Sequence, residues 1–115
     1  MQVTIYHNPR CSKSRQALEL LKERGIEPEI VEYLKTPPDR ETLKRLLKLL
    51  HLGPRDLMRK HEPEYKDAGL DDPGLSDEDL ISVLIQHPIL LERPIVVSGA
   101  KAVVGRPLER VFEIL

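Results

Sequence analysis

Apolar and polar positions change period several times along this chain, and each change marks an element. Val3-Thr4-Ile5-Tyr6 is β-branched and aromatic and reads as a buried strand. Gln16-Ala17-Leu18-Glu19-Leu20-Leu21-Lys22 is built from good helix formers. A helix is therefore predicted over 12–24, with Ala17, Leu18 and Leu21 inward and Gly25 as its stop. Glu29-Ile30-Val31-Glu32-Tyr33-Leu34 reads as a second strand. A strand, a helix and a strand of these lengths form a βαβ unit, with parallel strands and a right-handed crossover.

Thr36-Pro37-Pro38 breaks the pattern, and Asp39 is a fair N-cap for a helix over about 40–51. Leu43, Leu46, Leu47 and Leu50 give that helix one apolar face. Gly53-Pro54 ends it and starts a short helix through Lys60, with Leu57 and Met58 in the core. Residues 61–75 are polar, hold Pro63, Gly69, Pro73 and Gly74, and read as loop with one helical turn at most. Ser76-Asp77-Glu78-Asp79 is a capping sequence for a helix to about His87, with Leu80, Ile81, Leu84 and Ile85 inward. Ile95-Val96-Val97 and Ala102-Val103-Val104-Gly105 flank Ser98-Gly99-Ala100-Lys101 and read as an antiparallel hairpin. Arg106-Pro107 opens a last helix whose inner face is Leu108, Val111, Phe112 and Leu115.

The order is β-α-β, a helical stretch of about fifty residues, then β-β-α. This is the layout of an α/β, thioredoxin-like fold with a mixed four-stranded sheet. The helices between strands two and three, about residues 37–90, are expected as an insertion within one domain spanning 1–115.

Composition narrows the function. Net charge is −1, which argues against a general nucleic-acid binder. The charge is uneven: residues 1–60 hold 13 Lys+Arg against 8 Asp+Glu, residues 61–92 hold one Lys against 9 acids, and residues 93–115 hold 4 against 2. An oxyanion substrate suits the first part; the acidic middle reads as a solvated helical face. No apolar run approaches the roughly 20 residues that cross a bilayer, so no membrane association is expected. Met1 is followed at once by a strand pattern, so no secretory leader is expected either, and a reducing cytoplasm is the default location.

One cysteine excludes an internal disulfide and a Cys-rich metal site. His61 and Glu62 lack metal-ligand spacing, His51 reads as a surface group at a helix end and His87 as a cap before Pro88, and no metal is expected. The cysteine stands in Tyr6-His7-Asn8-Pro9-Arg10-Cys11-Ser12-Lys13-Ser14-Arg15, where a strand hands over to a helix. The first N–H groups of a helix have no internal partner, and the dipole is positive there. A thiolate at that point is stabilised, and the same N–H groups form an anion cradle. Arg10, Lys13 and Arg15, with His7, add positive charge nearby. A single intracellular cysteine is more often a small buried apolar group. The cations and the helix start favour a nucleophile.

Three segments carry a resemblance over essentially the whole chain: His7 to Arg15, His87-Pro88-Ile89-Leu90-Leu91-Glu92-Arg93-Pro94-Ile95-Val96-Val97, and Gly105-Arg106-Pro107. They resemble the glutaredoxin-linked arsenate reductases of the ArsC family, with the loop closest to the YfgD-like branch. The resemblance implies an oxidoreductase that reduces arsenate to arsenite, with glutathione as co-substrate, glutaredoxin as partner and no bound cofactor. By position, Cys11 matches the nucleophile, His7 the histidine that aids its ionisation, and Ser14 a serine near the thiolate. Arg59, Arg93 and Arg106 match three arginines that hold the oxyanion, and Pro94 matches a cis proline. The C-terminal tail of longer members is not expected here.

The residues themselves limit the alternatives. A dithiol oxidoreductase needs a second cysteine near position 14, where Ser14 stands, so any sulfur intermediate must be cleared by an external thiol. Arg15 follows Cys11 by only four positions, a poor fit to a phosphatase loop. Spx-type regulators share this fold and bind RNA polymerase, but typically carry Cys-x-x-Cys in this loop. A glutathione-dependent reductase of another small oxidant or oxyanion is the remaining alternative.

Overall fold

The structure is a computed structural model, and it describes residues 2–115. The chain divides into two units, one holding the chain up to Thr36 together with Arg93–Leu115, the other Pro37–Glu92.

The first unit is built on a sheet. Strand β1 is Val3–His7, helix α1 is Ser12–Glu23 and strand β2 is Glu29–Glu32. Strands β3, Ile95–Ser98, and β4, Lys101–Val104, form the hairpin. The order across the sheet is β2-β1-β3-β4, with β1 parallel to β2 and antiparallel to β3. The register pairs Ile5 with Val96, and Val96 with Val103. Residues in register project to the same face, so these three form one buried apolar row. Ala17 and Leu21 of α1, together with Val111, cover it. Leu21 is fully buried, a contribution of about 1.5–3 kcal/mol for its side chain. This packing fixes where α1 starts, and with it where Cys11 sits.

The second unit is helical. Helix α2 is Arg40–Leu50, capped by the Asp39 carboxylate, which accepts from the Thr42 amide at 2.8 Å. A 3-10 turn follows at Pro54–Leu57, then α3, Pro63–Asp67, α4, Asp77–Gln86, and a 3-10 turn at Pro88–Leu90. Leu43, Leu46 and Leu47 of α2 and Leu80, Ile81 and Leu84 of α4 are buried, as the spacing predicts. The Arg59 amide donates to the Leu90 carbonyl at 2.7 Å and the Glu92 amide to the Leu57 carbonyl at 2.8 Å. These bonds end the short helix expected through Lys60 at Leu57, because the chain there turns to pair with 90–92. Ile85, expected inward, is half-buried. Among the described residues, no helix is long and apolar enough to cross a membrane.

Two further expectations are corrected in the sheet unit. The second strand stops at Glu32, whose carbonyl receives the amides of Lys35 and Thr36, so Tyr33 and Leu34 belong to a turn. The last segment, Leu108–Ile114, is a 3-10 helix. With three residues per turn, Leu108, Val111 and Ile114 share a face; they pack on the core while Phe112 and Leu115 stay exposed. Phe112 instead carries the Arg24 guanidinium over its ring, 4.4 Å from the centroid.

Candidate active site around Cys11

Cys11 is the N-cap of α1, in extended geometry at φ −94° and ψ 121°. Its amide donates to the Asn8 carbonyl at 3.0 Å, and its carbonyl accepts the first helical bond from Arg15. That placement turns the amides of Lys13 and Ser14 toward the sulfur, as for any N-cap side chain. Burial pushes the thiol pKa up, but the Ser14 amide, the Arg93 guanidinium and the Lys13 amide outweigh it. The net result is a thiol held below its ordinary value, which raises the thiolate fraction near neutral pH.

Beneath the loop lies a small polar network. His7 Nδ1 and Ser14 Oγ are 2.6 Å apart, and Ser14 Oγ also accepts from the Asn8 amide at 3.0 Å. Ser14 is fully buried and His7 is nearly so. These bonds pin the first turn of α1 to the end of β1, whichever ring nitrogen carries the proton. Burial lowers the His7 pKa, against an opposing pull from Glu32. His7 is therefore less able to add positive charge beside the thiol near neutral pH than the sequence expectation gave it, and its contact in the loop is with Ser14. Ser14 fills the position where a second thiol would stand, and its bonds to His7 and Asn8 make it a structural hydroxyl in this network. The loop is closed further by Arg10, whose amide donates to Asn8 Oδ1 at 3.0 Å, and by Arg15 Nη1, which donates to the Pro9 carbonyl at 2.9 Å.

Two of the three expected arginines lie at this loop. Arg106 Nη2 is 3.6 Å from Cys11 Sγ, and Arg106 Nε donates to the Arg93 carbonyl at 2.6 Å. That second bond leaves the outer edge of the fork aimed at the sulfur. Arg93 is 8 % exposed, and its Nε and Nη1 are buried without a hydrogen-bond partner. Among the described residues no carboxylate pairs with either guanidinium. The Arg93–Pro94 and Arg106–Pro107 peptides are both cis, including the one expected at Pro94. Gly105 lets these two segments close: its amide donates to the Pro94 carbonyl at 2.8 Å, and a Cβ there would stand 3.0 Å from Pro94 Cγ.

Arg59 belongs to the helical unit. Its Nη1 donates to Glu62 Oε1 at 2.8 Å, and its Nε lies 3.6 Å from Glu92 Oε1. Its charge is thus already answered by two carboxylates of its own unit.

Sequence reasoning passes over Asn8, which reads as a turn residue but ties the loop through its amide, carbonyl and Oδ1, and Tyr33, which reads as a strand residue but whose buried hydroxyl feels Arg93 and Asn8. Their signal is the sheet register, which no sequence window contains. A cleft of about 750 Å³ lies at the opposite end of the sheet, lined by residues such as Val3, Ile26 and Leu115. The cysteine is not among its lining residues, so size does not mark the thiol chemistry here. Among the described residues no group of three His, Cys, Asp or Glu could hold a metal ion.

A β2-β1-β3-β4 sheet with a single thiol of lowered pKa at the start of α1 defines a thioredoxin-like protein with a one-cysteine site. Within that class the chain belongs to the ArsC family, whose model matches residues 6–114. It is 56 % identical to the uncharacterized protein YfgD of Escherichia coli (strain K12), over 99 % of this chain and 97 % of that protein. It is 51 % identical to the arsenate reductase of Neisseria meningitidis serogroup A, over 99 % of this chain and 98 % of that one. The solved structure of an arsenate reductase from Vibrio cholerae superposes with a TM-score of 0.97 at 51 % identity, covering 100 % of this chain and 98 % of that one.

Proposed function

We propose that this protein reduces arsenate to arsenite in the cytoplasm, with Cys11 as nucleophile and glutathione and glutaredoxin supplying the electrons. The observation that carries this reading is Arg93. A buried guanidinium is normally paired, because an isolated buried charge is costly. Here it is 8 % exposed, unpaired, and beside a thiol whose pKa it lowers. Such an arrangement suits a substrate that brings its own negative charge. Arsenate is a tetrahedral anion near neutral pH, and a guanidinium presents a rigid fork of N–H donors to it. Arginine also offsets the repulsion between the anion and an approaching thiolate. The arsenate reductases of Neisseria meningitidis and Vibrio cholerae, at 51 % identity, support the choice of oxyanion.

The chemistry follows from one thiol. Cys11 thiolate attacks arsenic, an As–S bond forms, and one oxygen leaves as water after protonation. An external thiol then joins the arsenic in the same way, releasing a second water. When a further thiol attacks the sulfur of that external group, a disulfide forms and the electron pair remains on arsenic, now As(III). Water then frees Cys11 and arsenite. In sum, two external thiols become one disulfide, arsenate becomes arsenite and one water is released. Ser14 cannot take the part of a resolving thiol, which is why the reductant must come from outside.

The test is NADPH consumption with arsenate, glutathione, glutaredoxin and glutathione reductase. Wild type is expected to turn over and Cys11→Ser to be inactive. Folded wild-type protein without turnover, or one that turns over repeatedly with no external thiol, refutes the proposal.

A further inference from the structure

Extending the sheet register by a step or two beyond the strand ends brings four residues into one row. His7 pairs with Glu32, so the next pair is Asn8 and Tyr33. Tyr6 pairs with Ile95 across the antiparallel junction, so Asn8 falls opposite Arg93. Ile95 pairs with Val104, and two steps on, Arg93 falls opposite Arg106, as the Arg106 Nε bond to the Arg93 carbonyl bears out. Tyr33, in the turn just past β2, thus falls in line with Asn8, Arg93 and Arg106 at the sheet end that carries Cys11. Neighbouring strands are about 4.8 Å apart, so a tyrosine and an arginine two strands apart meet across the shorter asparagine.

The two long side chains share an unusual condition. Tyr33 is fully buried, and no hydrogen bond of good geometry closes on its hydroxyl or on the buried Arg93 Nε and Nη1. The Arg93 guanidinium and the Asn8 side chain are nonetheless near enough to that hydroxyl to pull its pKa down against burial. Buried polar groups are nearly always satisfied, and exceptions cluster where function requires them. A carboxylate at position 33 would satisfy the guanidinium fully and cancel its charge. A phenol offers an acceptor oxygen and leaves the charge intact. Burial raises the Tyr33 pKa, so the phenol keeps its proton despite the opposing pull of Arg93.

We propose that Tyr33 is a positioning residue for Arg93, its buried hydroxyl backing the guanidinium without neutralising it so that the charge stays directed at Cys11. The role deepens the proposed function, but its central readout does not depend on arsenate. Tyr33→Phe keeps the ring and removes the hydroxyl. The experiment follows the pH dependence of Cys11 alkylation by iodoacetamide in four proteins: wild type, Tyr33→Phe, Arg93→Ala and the double variant, with thermal unfolding of each. The single Tyr33→Phe change is expected to raise the alkylation midpoint by about 0.5 pH unit, roughly threefold less thiolate below it, with Tm no lower than wild type. In the Arg93→Ala background the same change is expected to move nothing, because the group it acts through is gone. An unchanged midpoint in the single variant overturns the proposal, and so does an equal shift in both backgrounds. Arsenate kcat/KM is expected to fall about tenfold in Tyr33→Phe. If wild type does not reduce arsenate, the proposed function falls while the alkylation cycle still decides the role of Tyr33.

Discussion

Replacing the three arginines one at a time separates oxyanion chemistry from generic thiol chemistry, and the structure assigns them unequal losses. Arg93 is desolvated and two of its nitrogens lack a hydrogen-bond partner, so an anion gains a charge-assisted contact without first stripping water from the arginine. Arg93→Ala is expected to cost about 3 kcal/mol in the transition state, roughly 150-fold in kcat/KM. Arg106 is half-buried and already commits Nε to the Arg93 carbonyl. Its loss is expected to be about 2 kcal/mol, roughly 30-fold. Arg59 carries two carboxylate partners, so its positive charge is largely spent. Its replacement is expected to cost about 1 kcal/mol, roughly fivefold. The NADPH-coupled arsenate assay gives the three ratios, and thermal unfolding checks that each variant folds. Arg93→Met makes the sharpest contrast. It fills similar space and removes an unpaired buried charge, so Tm is expected to stay level or rise while turnover collapses. Equal losses at all three positions, or the largest loss at Arg59, would refute the reasoning from burial and pairing. A fall in Tm for Arg93→Met with turnover intact would make Arg93 a structural residue.

Alkylation of Cys11 is expected to show a midpoint below that of a free thiol, as its lowered pKa requires, and a midpoint equal to free cysteine would sink the nucleophile assignment. The same shift makes stability depend on pH. Between the folded and unfolded thiol values the unfolded chain binds more protons, so stability rises with pH across that window, and Cys11→Ser is expected to lose the rise in denaturant titrations. For His7, whose folded pKa is lowered by burial, the unfolded state takes up a proton first. Stability is therefore expected to fall as pH drops below about 6.5, the ordinary histidine value, and His7→Gln to lose that part of the dependence. Gly105→Ala puts a Cβ 3.0 Å from Pro94 Cγ and 3.2 Å from Val111 Cγ2. It is expected to destabilise by about 1–3 kcal/mol in urea unfolding and to slow turnover by displacing Arg106, while wild-type stability would show that the contact yields freely.

Local signals carried much of the fold into the sequence. Periodicity marked the helices at 12–24 and 40–51 because an apolar face every 3.6 residues needs no knowledge of what it packs against. Asp39 and Ser76 announced helix starts because a capping side chain bonds an amide two or three residues away. The cysteine at a strand-to-helix junction was legible for the same reason: the amides that lower its pKa belong to Lys13 and Ser14. Elements set by distant partners were not. The last helix is 3-10 and turns Leu108, Val111 and Ile114 to the core; the 3.6-residue period found Leu108 and Val111 but put Phe112 and Leu115 inward in place of Ile114.

For the site, the sequence by itself placed the one cysteine at a strand-to-helix junction with no second thiol beside it, and family resemblance pointed to three arginines. Only the tertiary structure decided what state these groups are in. Burial lowers the His7 pKa, a pair of carboxylates answers Arg59, and the sheet register leaves Arg93 buried, unpaired and in line with Tyr33. Charge state and hydrogen-bond satisfaction depend on which side chains arrive from residues tens of positions away, and chain order does not contain that information until the strands pair.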